Sequence, residues 1–302
     1  MVPSFLSSVY WFGKYLRLCF ITAGLTSQFT DLDNGNTTIH FWGPDPTKPT
    51  SGKPPLVLIH GFGPIPTWQW RTQVQYFAPK FDVYVPELVF FGSSTTRLGD
   101  RSEQFQADAV AGLMEKIGVE KYSVLGTSYG GFVAYNVAKR WGERVDKVVI
   151  ASSATNMRLR DGVELLKRAK VEKIQELFLP TTVKQLRTLL SLTVYQLPEF
   201  VPYSLLYDMI RRLFYDNRKE KSELFDGLTI GRDDEAKVVP LDKEVLLVWG
   251  DHDQIFPIEL TIELKQLLGK KVKLEVIKEA SHLPQIEKAD EFNKIVNNFL
   301  RE

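Results

Sequence analysis

Cysteine is nearly absent from the 302-residue sequence, which contains only Cys19. A single thiol excludes an internal disulfide and any metal cluster built from several cysteines. It fits a reducing compartment without requiring one. Histidine is also scarce: its four residues lie far apart along the chain, and the sequence contains no H-E-x-x-H motif. A zinc site is therefore not expected.

The sequence also lacks an excess of charge of either sign. Its 38 Lys and Arg residues nearly balance its 37 Asp and Glu residues, which leaves a net charge of +1. No dense basic run occurs, so nucleic acid is not an expected partner. Hydrophobic residues make up 44% of the chain and charged residues 25%. These values are typical of a soluble globular protein with a large core.

No hydrophobic run predicts a membrane-spanning helix. Residues 2–25 are rich in apolar and aromatic side chains, but Lys14 and Arg17 interrupt them, whereas a spanning helix needs about 20 apolar residues with few charges. A secretory signal would carry its basic residues before the apolar core. We expect an amphipathic helix on the surface of its own domain or on a membrane, and the pattern supports both equally.

Two further expectations concern the same segment. The predicted location is cytoplasmic, with peripheral membrane contact through residues 2–25 as an alternative. Cys19 is expected to be a buried thiol, and acylation of this thiol is the less common alternative.

Strand and helix patterns alternate along most of the chain. Asn34-Gly35 between two extended runs predicts a β-hairpin. Short apolar runs predict further strands at 56–59, 81–86, 122–125, 145–151, 245–249 and 272–277. The alternation predicts a mainly parallel sheet with helices on both faces.

A long helical stretch interrupts this alternation. Residues 155–240 show helical spacing and lie between two predicted strands of the same sheet. We therefore predict a helical cap inserted into a core formed by residues 29–154 and 241–302, with an N-terminal helical segment at 1–28. The alternative, a separately folded helical domain, is disfavoured because strands of one sheet flank the stretch on both sides.

One short motif indicates chemistry. Residues 126–130 read GTSYG, which fits G-x-S-x-G, and they follow the predicted strand 122–125 and precede a helical pattern. Strand, motif and helix together are the context of a nucleophile elbow, a sharp turn that presents the serine hydroxyl. Ser128 would also lie at a helix N-terminus, whose free N–H groups favour a developing anion. Ser128 is the candidate nucleophile, and the alternative is a glycine-rich turn without a chemical role.

A serine nucleophile needs a base, which is usually a histidine oriented by a carboxylate. In a nucleophile-elbow context the expected chain order is serine, acid, histidine. Asp253 and His282 follow this order, and each comes shortly after a predicted strand. Both side chains should therefore emerge at the sheet edge that presents Ser128. Asp251 is the rival acid, but its position nearer the strand end indicates a structural hydrogen bond.

The remaining histidines are expected to have structural roles. His40 lies inside an early strand and His60 precedes a glycine-rich turn, so each should be hydrogen-bonded rather than catalytic. His252 is adjacent in sequence to Asp253 and should point away from it.

An acyl-transfer reaction also needs donors for its oxyanion. The residue after the nucleophile, Tyr129, should supply one backbone N–H, and the turn after an early strand should supply the other. That turn reads HGFG at 60–63, and Phe62 is the candidate donor. The alternative for Phe62 is a packing residue in a tight turn.

Four segments resemble the α/β-hydrolase superfamily when they are taken together. In chain order they are LVLIHGFG, SVLGTSYGG, LLVWGDHDQIFP and ASHLPQIE, and the resemblance covers residues 37–300. The third segment is similar to the family's G-x-x-D-x-x-x-P acid loop, which supports Asp253 over Asp251. The HGFG and GTSYGG forms, with Trp68 and Trp70 downstream, resemble most closely the monoacylglycerol-lipase-like branch.

This resemblance implies a fold and an activity. The implied fold is a mainly parallel eight-stranded sheet with helices on both faces and a helical cap inserted before the acid-bearing strand. The implied activity is acyl-ester hydrolysis without a cofactor. The sequence departs from the family at Glu87, where relatives usually carry aspartate, and we expect a structural role for this residue.

The sequence thus predicts a serine esterase or lipase that acts on a small-molecule, lipid-like ester with an apolar acyl chain. The expected substrate-binding residues are apolar and close in sequence to the candidate catalytic positions: Phe62, Phe90, Phe91, Phe256 and Leu283. One alternative is a hydrolase of a specialised ester, a lactone or a carbon–carbon bond. Another is a small-molecule receptor on the same fold.

Overall fold

Nine strands form one sheet in the structure, a computed structural model that describes residues 7–48 and 51–302. The strands are β1 (Leu25–Leu32), β2 (Thr37–Pro44), β3 (Pro55–Ile59), β4 (Asp82–Pro86), β5 (Thr95–Thr96), β6 (Tyr122–Thr127), β7 (Val145–Ala151), β8 (Glu244–Gly250) and β9 (Val272–Ile277).

The main path across the sheet runs β1-β2-β4-β3-β6-β7-β8-β9, and the two-residue strand β5 pairs with β2. All neighbouring pairs from β4 to β9 are parallel, while β2 is antiparallel to both β1 and β4. The predicted mainly parallel eight-stranded sheet is confirmed, with β5 as a short addition. The predicted hairpin is confirmed as well, because Leu32 of β1 pairs with Thr37 of β2 around a turn at Asp33–Gly35.

Helices cover both faces of this sheet. They are α1 (Ser8–Thr22), α2 (Pro66–Gln69), α3 (Arg71–Phe77), α4 (Glu103–Lys116), α5 (Tyr129–Arg140), α6 (Leu159–Ala169), α7 (Ile174–Phe178), α8 (Val183–Thr193), α9 (Tyr203–Leu213), α10 (Arg218–Gly227), α11 (Ile258–Leu268), α12 (Pro284–Glu287) and α13 (Ala289–Arg301). Side chains of α1, α3 and α13 form the core on one face, and those of α4 and α5 form it on the other.

The central strands are buried on both sides as a consequence. Leu56, Val57, Leu58 and Ile59 of β3 are all fully inaccessible to solvent. Such continuous apolar runs are typical of parallel strands between two helical layers. Full burial of each such side chain stabilises the fold by roughly 1.5–3 kcal/mol, so the sheet forms a rigid base for the residues at its edge.

Helices α6 to α10 lie between β7 and β8 in the chain, within the stretch for which the sequence predicts helices. Leu186, Leu206 and Leu224 from these helices are nearly fully buried in the same apolar cluster as α4 and α5. Because this cluster is continuous, we propose that the stretch is a cap on the sheet and not an independent domain.

Helix α1 packs against its own domain. The Ser7 Oγ accepts a hydrogen bond from the Tyr10 N–H at 3.0 Å and caps the helix. Leu16 and Phe20 are buried on the inner face, and the Cys19 thiol is buried beside them. Of the helices formed by the described residues, none is long and apolar enough to cross a membrane.

The N-terminal segment ends earlier than the pattern indicates. Gly24 adopts a φ of +90°, which stops the helix, and β1 starts at Leu25. The last residues of the predicted segment 1–28 are therefore part of the sheet, and residues 1–6 lie outside the described residues.

Candidate active site

Ser128 occupies a strained turn between β6 and α5. Its φ of 53° and ψ of −125° are unusual for a residue with a side chain. The turn is possible because its neighbours are glycines. A methyl group at Gly126 would lie 2.1 Å from the Gly130 carbonyl oxygen, and one at Gly130 would lie 2.3 Å from the Ile59 carbonyl oxygen. The strand–turn–helix predicted around the motif thus has the geometry of a nucleophile elbow.

Three side chains from distant parts of the chain form a hydrogen-bonded series. The His282 Nε2 lies 2.9 Å from the Ser128 Oγ, and the His282 Nδ1 lies 3.0 and 3.1 Å from the two carboxylate oxygens of Asp253. All three residues are buried. The arrangement has the serine–histidine–carboxylate connectivity that activates a hydroxyl.

The carboxylate of Asp253 is held by backbone donors. Its Oδ1 accepts hydrogen bonds from the N–H groups of Ile255 and Phe256, both at 2.9 Å. The rival acid, Asp251, makes its contacts elsewhere, with His252 at 2.6 Å and Lys278 at 3.6 Å. The structure therefore brings Asp253, and not Asp251, to His282.

The candidate oxyanion donors flank the serine. The backbone at Gly61 approaches Ser128 so closely that a methyl group on Gly61 would lie 3.0 Å from the Ser128 Cβ. The ring centroids of Phe62 and Tyr129 are 5.9 Å apart. Within residues 7–48 and 51–302 the N–H of Phe62 has no hydrogen-bond acceptor. Tyr129 is the first residue of α5, so its N–H has no acceptor within the helix.

Gln69 holds the turn that carries Phe62. Its Oε1 accepts from the Gly61 N–H at 2.8 Å, and its Nε2 donates to the carbonyl oxygens of Gly61 at 3.1 Å and Pro64 at 2.7 Å. Sequence reasoning did not identify Gln69, because an isolated glutamine in a short helix carries no signal of its own. Its importance follows only from its contacts.

The His60 ring also stabilises the turn that carries Phe62. Its Nδ1 lies 2.8 Å from the Gly61 carbonyl oxygen, and its Nε2 accepts from the Leu88 N–H at 3.0 Å. Burial lowers the pKa of His60 to about 4, so the ring is neutral near pH 7. These contacts agree with the structural role expected for this histidine.

Glu87 also has a structural environment. It is buried, its Oε2 accepts from the Ser93 N–H at 2.7 Å, and a methyl group at Gly92 would collide with its carboxylate at 2.1 Å. The glycine, at a φ of 55°, leaves room for the longer glutamate side chain.

An apolar cavity of about 170 Å³ opens beside Ser128 and His282. The core contributes Phe62, Trp68, Leu283 and Ile286 to its wall, and the predicted cap contributes Phe178, Leu186, Leu189, Leu190, Met209, Leu213 and Phe214. Among the described residues, no Asp, Glu, Lys or Arg side chain lines this cavity. Its chemistry therefore favours an uncharged, apolar group beside the serine.

The five predicted substrate-binding residues divide into two groups. Phe62 and Leu283 line the cavity, whereas Phe90, Phe91 and Phe256 do not. Phe91 packs behind Phe62 with the ring centroids 5.2 Å apart, and Phe256 packs against the His282 ring at 5.6 Å. Phe90 is buried with the Arg101 guanidinium 4.5 Å from its ring. Phe91 and Phe256 therefore support residues of the site from outside the cavity, whereas Phe90 is buried against Arg101.

Glu287 links the candidate base to the predicted cap. Its Oε1 accepts from the Ser281 N–H at 2.8 Å, and its Oε2 accepts from the Tyr195 N–H at 2.6 Å. Ser281 precedes His282, and its Oγ donates to the Leu192 carbonyl oxygen at 3.2 Å. Sequence analysis missed this link, since both partners of Glu287 are backbone groups.

No resident metal site is apparent around these residues. In the part of the chain that the structure describes, no group of three or more His, Cys, Asp or Glu side chains could hold a metal ion. What the site offers is a polarised hydroxyl, a histidine and backbone N–H groups.

Known proteins of similar sequence share nearly the whole length of the chain. A 2-hydroxy-6-oxononadienedioate/2-hydroxy-6-oxononatrienedioate hydrolase from Pseudomonas sp is 27% identical over 298 residues, which cover 93% of this chain and 98% of the relative. A 2-hydroxy-6-oxo-6-phenylhexa-2,4-dienoate hydrolase from Comamonas testosteroni is 26% identical and covers 93% of this chain and 99% of the relative. None of these names is that of a monoacylglycerol lipase.

Solved structures share the fold. A bacterial membrane phospholipase A superposes with a TM-score of 0.80 at 23% identity, over 97% of this chain and 91% of that chain. The family model described as alpha/beta hydrolase fold matches residues 54–289. The predicted superfamily is thereby confirmed: the chain belongs to the alpha/beta hydrolase fold family.

Proposed function

We propose that the chain is a serine hydrolase that cleaves a carboxylic ester with an apolar acyl chain through an acyl-enzyme on Ser128. The observation that carries this proposal is the hydrogen-bonded series of Ser128, His282 and Asp253 at one end of a cavity without a charged wall. The hydroxyl supplies the nucleophile, and the cavity supplies a place for the acyl chain.

The hydrogen bonds of the three side chains support one role for each of them in the proposed mechanism. When the ring proton of His282 is on Nδ1, the Nδ1–H donates a hydrogen bond to the Asp253 carboxylate. The unprotonated Nε2 then accepts a hydrogen bond from the Ser128 hydroxyl. As the Ser128 Oγ attacks the ester carbonyl, its proton moves to Nε2, and Asp253 stabilises the imidazolium. The imidazolium then protonates the leaving alcohol. Water, activated by His282, releases the acid and restores the serine.

The backbone N–H groups of Phe62 and Tyr129 would hold the oxyanion of the tetrahedral intermediates. Their position beside Ser128 supports this role. Loss of one such donor typically raises the barrier by about 3 kcal/mol, so the turn held by Gln69 would contribute directly to the rate.

Labelling and turnover test the nucleophile together. A fluorophosphonate probe should add to one peptide, the one that contains Ser128, and the protein should hydrolyse a p-nitrophenyl ester at roughly several turnovers per second. Ser128→Ala should abolish labelling and lower kcat by about a millionfold. A rate little changed by this substitution would refute the assignment. A rate of only a few turnovers per hour in the unaltered protein would favour a receptor instead.

Cleavage of a carbon–carbon bond is the second candidate, and sequence similarity favours it. The relatives are named for 2-hydroxy-6-oxo dienoate and dienedioate substrates, which contain a ketone and carboxylates but no ester. The Ser128 Oγ could attack such a ketone while His282 takes its proton. The imidazolium would then protonate the carbon that leaves as the carbon–carbon bond breaks, and water would release the acid from Ser128. The cavity wall favours the ester instead, because none of the described Lys or Arg side chains lines it to neutralise a bound carboxylate.

Parallel assays distinguish the two candidates. We expect kcat/KM for a p-nitrophenyl ester of medium chain length to exceed that for a 2-hydroxy-6-oxo dienoate by at least roughly a hundredfold. The reverse order would establish the carbon–carbon bond hydrolase. The same proposal places the protein in the cytoplasm with peripheral contact to a membrane, where a lipid-like ester would be available.

A further inference from the structure

The outward face of helix α1 is apolar, although the outer face of a surface helix is normally polar. Trp11, Tyr15, Leu18 and Ile21 are each between 46% and 55% exposed. They lie on the side opposite Leu16 and Phe20, which are buried in the core. Contiguous exposed side chains of this kind mark interaction sites, unlike scattered single ones.

Helix α9 packs beside α1 through a hydrogen bond from the Ser7 hydroxyl to the Asp208 carboxylate and through the Arg212 guanidinium, 5.6 Å from the Tyr10 ring. These contacts involve Ser7 and Tyr10, at the N-terminal end of α1, and leave the four exposed side chains uncovered to the extent given above. The four exposed side chains of α1 are called the aromatic face below: Trp11, Tyr15, Leu18 and Ile21.

The charged side chains of α1 are all positive. The α1 sequence contains Lys14 and Arg17 but no Asp or Glu, and both basic residues are exposed. Aromatic rings combined with long basic side chains suit the boundary between lipid headgroups and acyl chains.

The aromatic face adjoins the mouth of the cavity. Phe12 of α1 packs on Trp68 with the ring centroids 5.1 Å apart, and Trp68 lines the cavity beside Ser128. Ile286, another lining residue, is 47% exposed. A surface bound to the aromatic face would therefore lie close to the entrance of the acyl site.

We propose that the aromatic face docks the protein on an anionic lipid bilayer. Charge complementarity selects this occupant over a second copy of the chain. Two copies paired through the same face would bring Lys14 and Arg17 of each α1 together, with no acidic residue of that helix to neutralise them. An anionic leaflet neutralises them and accepts the apolar side chains. The docking itself does not depend on the proposed chemistry, although it would deliver a lipid ester to Ser128.

Flotation of the full-length protein with vesicles tests the proposal. The vesicles are phosphatidylcholine alone, or phosphatidylcholine with roughly one-third phosphatidylserine. We expect flotation with the anionic vesicles and at least about fivefold less with the neutral ones, because each basic side chain near the surface favours anionic lipid by about that factor.

Paired surface variants locate the contact. Leu18→Ser with Ile21→Ser should reduce flotation at least roughly tenfold, because both apolar side chains leave the lipid boundary. The matched control is Val239→Ser with Ile262→Ser, which are exposed to a similar degree but lie outside α1 and α9. This control should float like the unaltered protein. All these proteins should hydrolyse a water-soluble short ester equally and unfold at the same temperature.

Three results would overturn the docking proposal. They are absence of flotation with either vesicle, equal flotation of the Leu18/Ile21 variant, and a dimer in sedimentation that this variant dissociates. The last would identify the face as a contact between copies. Each result is separable from the proposed chemistry, because ester turnover in free solution reports on Ser128 alone.

Discussion

Asp251 and Asp253 lie in one loop, but their carboxylates bind different partners. Asp253 accepts two backbone N–H groups and faces the His282 Nδ1, whereas Asp251 pairs with His252 and Lys278 nearer the surface. Only a carboxylate in the first position can select the histidine tautomer that accepts the serine proton.

Asp253→Asn should therefore lower kcat by roughly ten-thousandfold, because an amide in this position favours the wrong histidine tautomer. Asp251→Asn is the matched control and should change kcat less than about threefold, since it removes only partly exposed ion pairs. Steady-state kinetics on one ester measures both variants. Equal losses in the two would contradict the assignment of the acid.

His60 makes a prediction about stability and pH. Its pKa is about 4 in the folded chain because of burial, against about 6.5 in the unfolded chain. The unfolded state therefore binds a proton first as the pH falls. The stabilising contribution of the neutral ring is complete above about pH 6.5 and is lost as the pH falls through 6.5 towards 4.

Urea unfolding of His60→Gln and of the unaltered protein checks this effect. Between about pH 7.5 and 4.5, the unaltered protein should lose about 2.5 kcal/mol more unfolding free energy than the variant does. The matched control is Ile262→Gln, at a position that is 50% exposed and carries no titratable group, and it should leave the pH dependence unchanged. Identical curves for the unaltered protein and His60→Gln would show that His60 is not buried in its neutral form.

At the scale of elements, short helices position the candidate catalytic groups. Helix α2 carries Gln69, which holds the Phe62 turn, and helix α12 carries Glu287, which joins Ser281 to Tyr195. Each helix has only four residues and derives its stability from tertiary contacts rather than from its own hydrogen bonds.

Glu287→Ala should lower kcat roughly ten- to a hundredfold, because two backbone donors lose their acceptor and the His282 loop is no longer held to the cap. KM should change less than kcat, since Glu287 does not line the cavity. Glu287→Gln should restore part of the rate, because it retains one acceptor oxygen. Glu291→Ala, an exposed neighbour on α13, is the control. A change in thermal stability with normal kcat would show that Glu287 is structural only.

At the scale of the whole molecule, the cavity beside Ser128 exists only where the predicted cap meets the sheet. Ser128 and His282 come from the sheet edge, while Met209, Leu213 and Phe214 come from α9 and the residue after it. The shape of the cavity is therefore a property of the packing between two parts of the chain, and neither part forms it by itself.

Filling this cavity should change specificity and spare the chemistry. Met209→Trp should lower the ratio of kcat/KM for an octanoate ester to that for an acetate ester at least about tenfold, because the added ring occupies space for the longer chain. Turnover of the acetate ester should change little. Tyr215→Trp, at a position in the predicted cap that is 72% exposed, should leave the ratio unchanged. An unaltered ratio in Met209→Trp would place the acyl chain elsewhere.

Local sequence patterns predicted much of the fold and of the candidate site. Glycines around Ser128, the hairpin at Asn34-Gly35 and apolar strand runs depend on short-range geometry, which the sequence expresses directly. The sequence also predicted that Ser128, Asp253 and His282 meet, because each follows a strand and parallel strands bring their carboxyl ends to one edge of the sheet.

Long-range packing decided the rest. Phe62 reaches the cavity while Phe90, Phe91 and Phe256 stay behind its wall, and apolarity alone does not distinguish a wall from a core. Gln69 and Glu287 both bind backbone groups, which carry no side-chain signal in the sequence, and the Tyr195 partner of Glu287 is 92 residues away. Which apolar side of α1 faces outward depends on how the helix packs on the core, so the sequence alone does not show it. The sequence by itself thus determined which residues can do chemistry, and the tertiary structure decided which surfaces meet them, because burial depends on contacts between segments far apart in the chain.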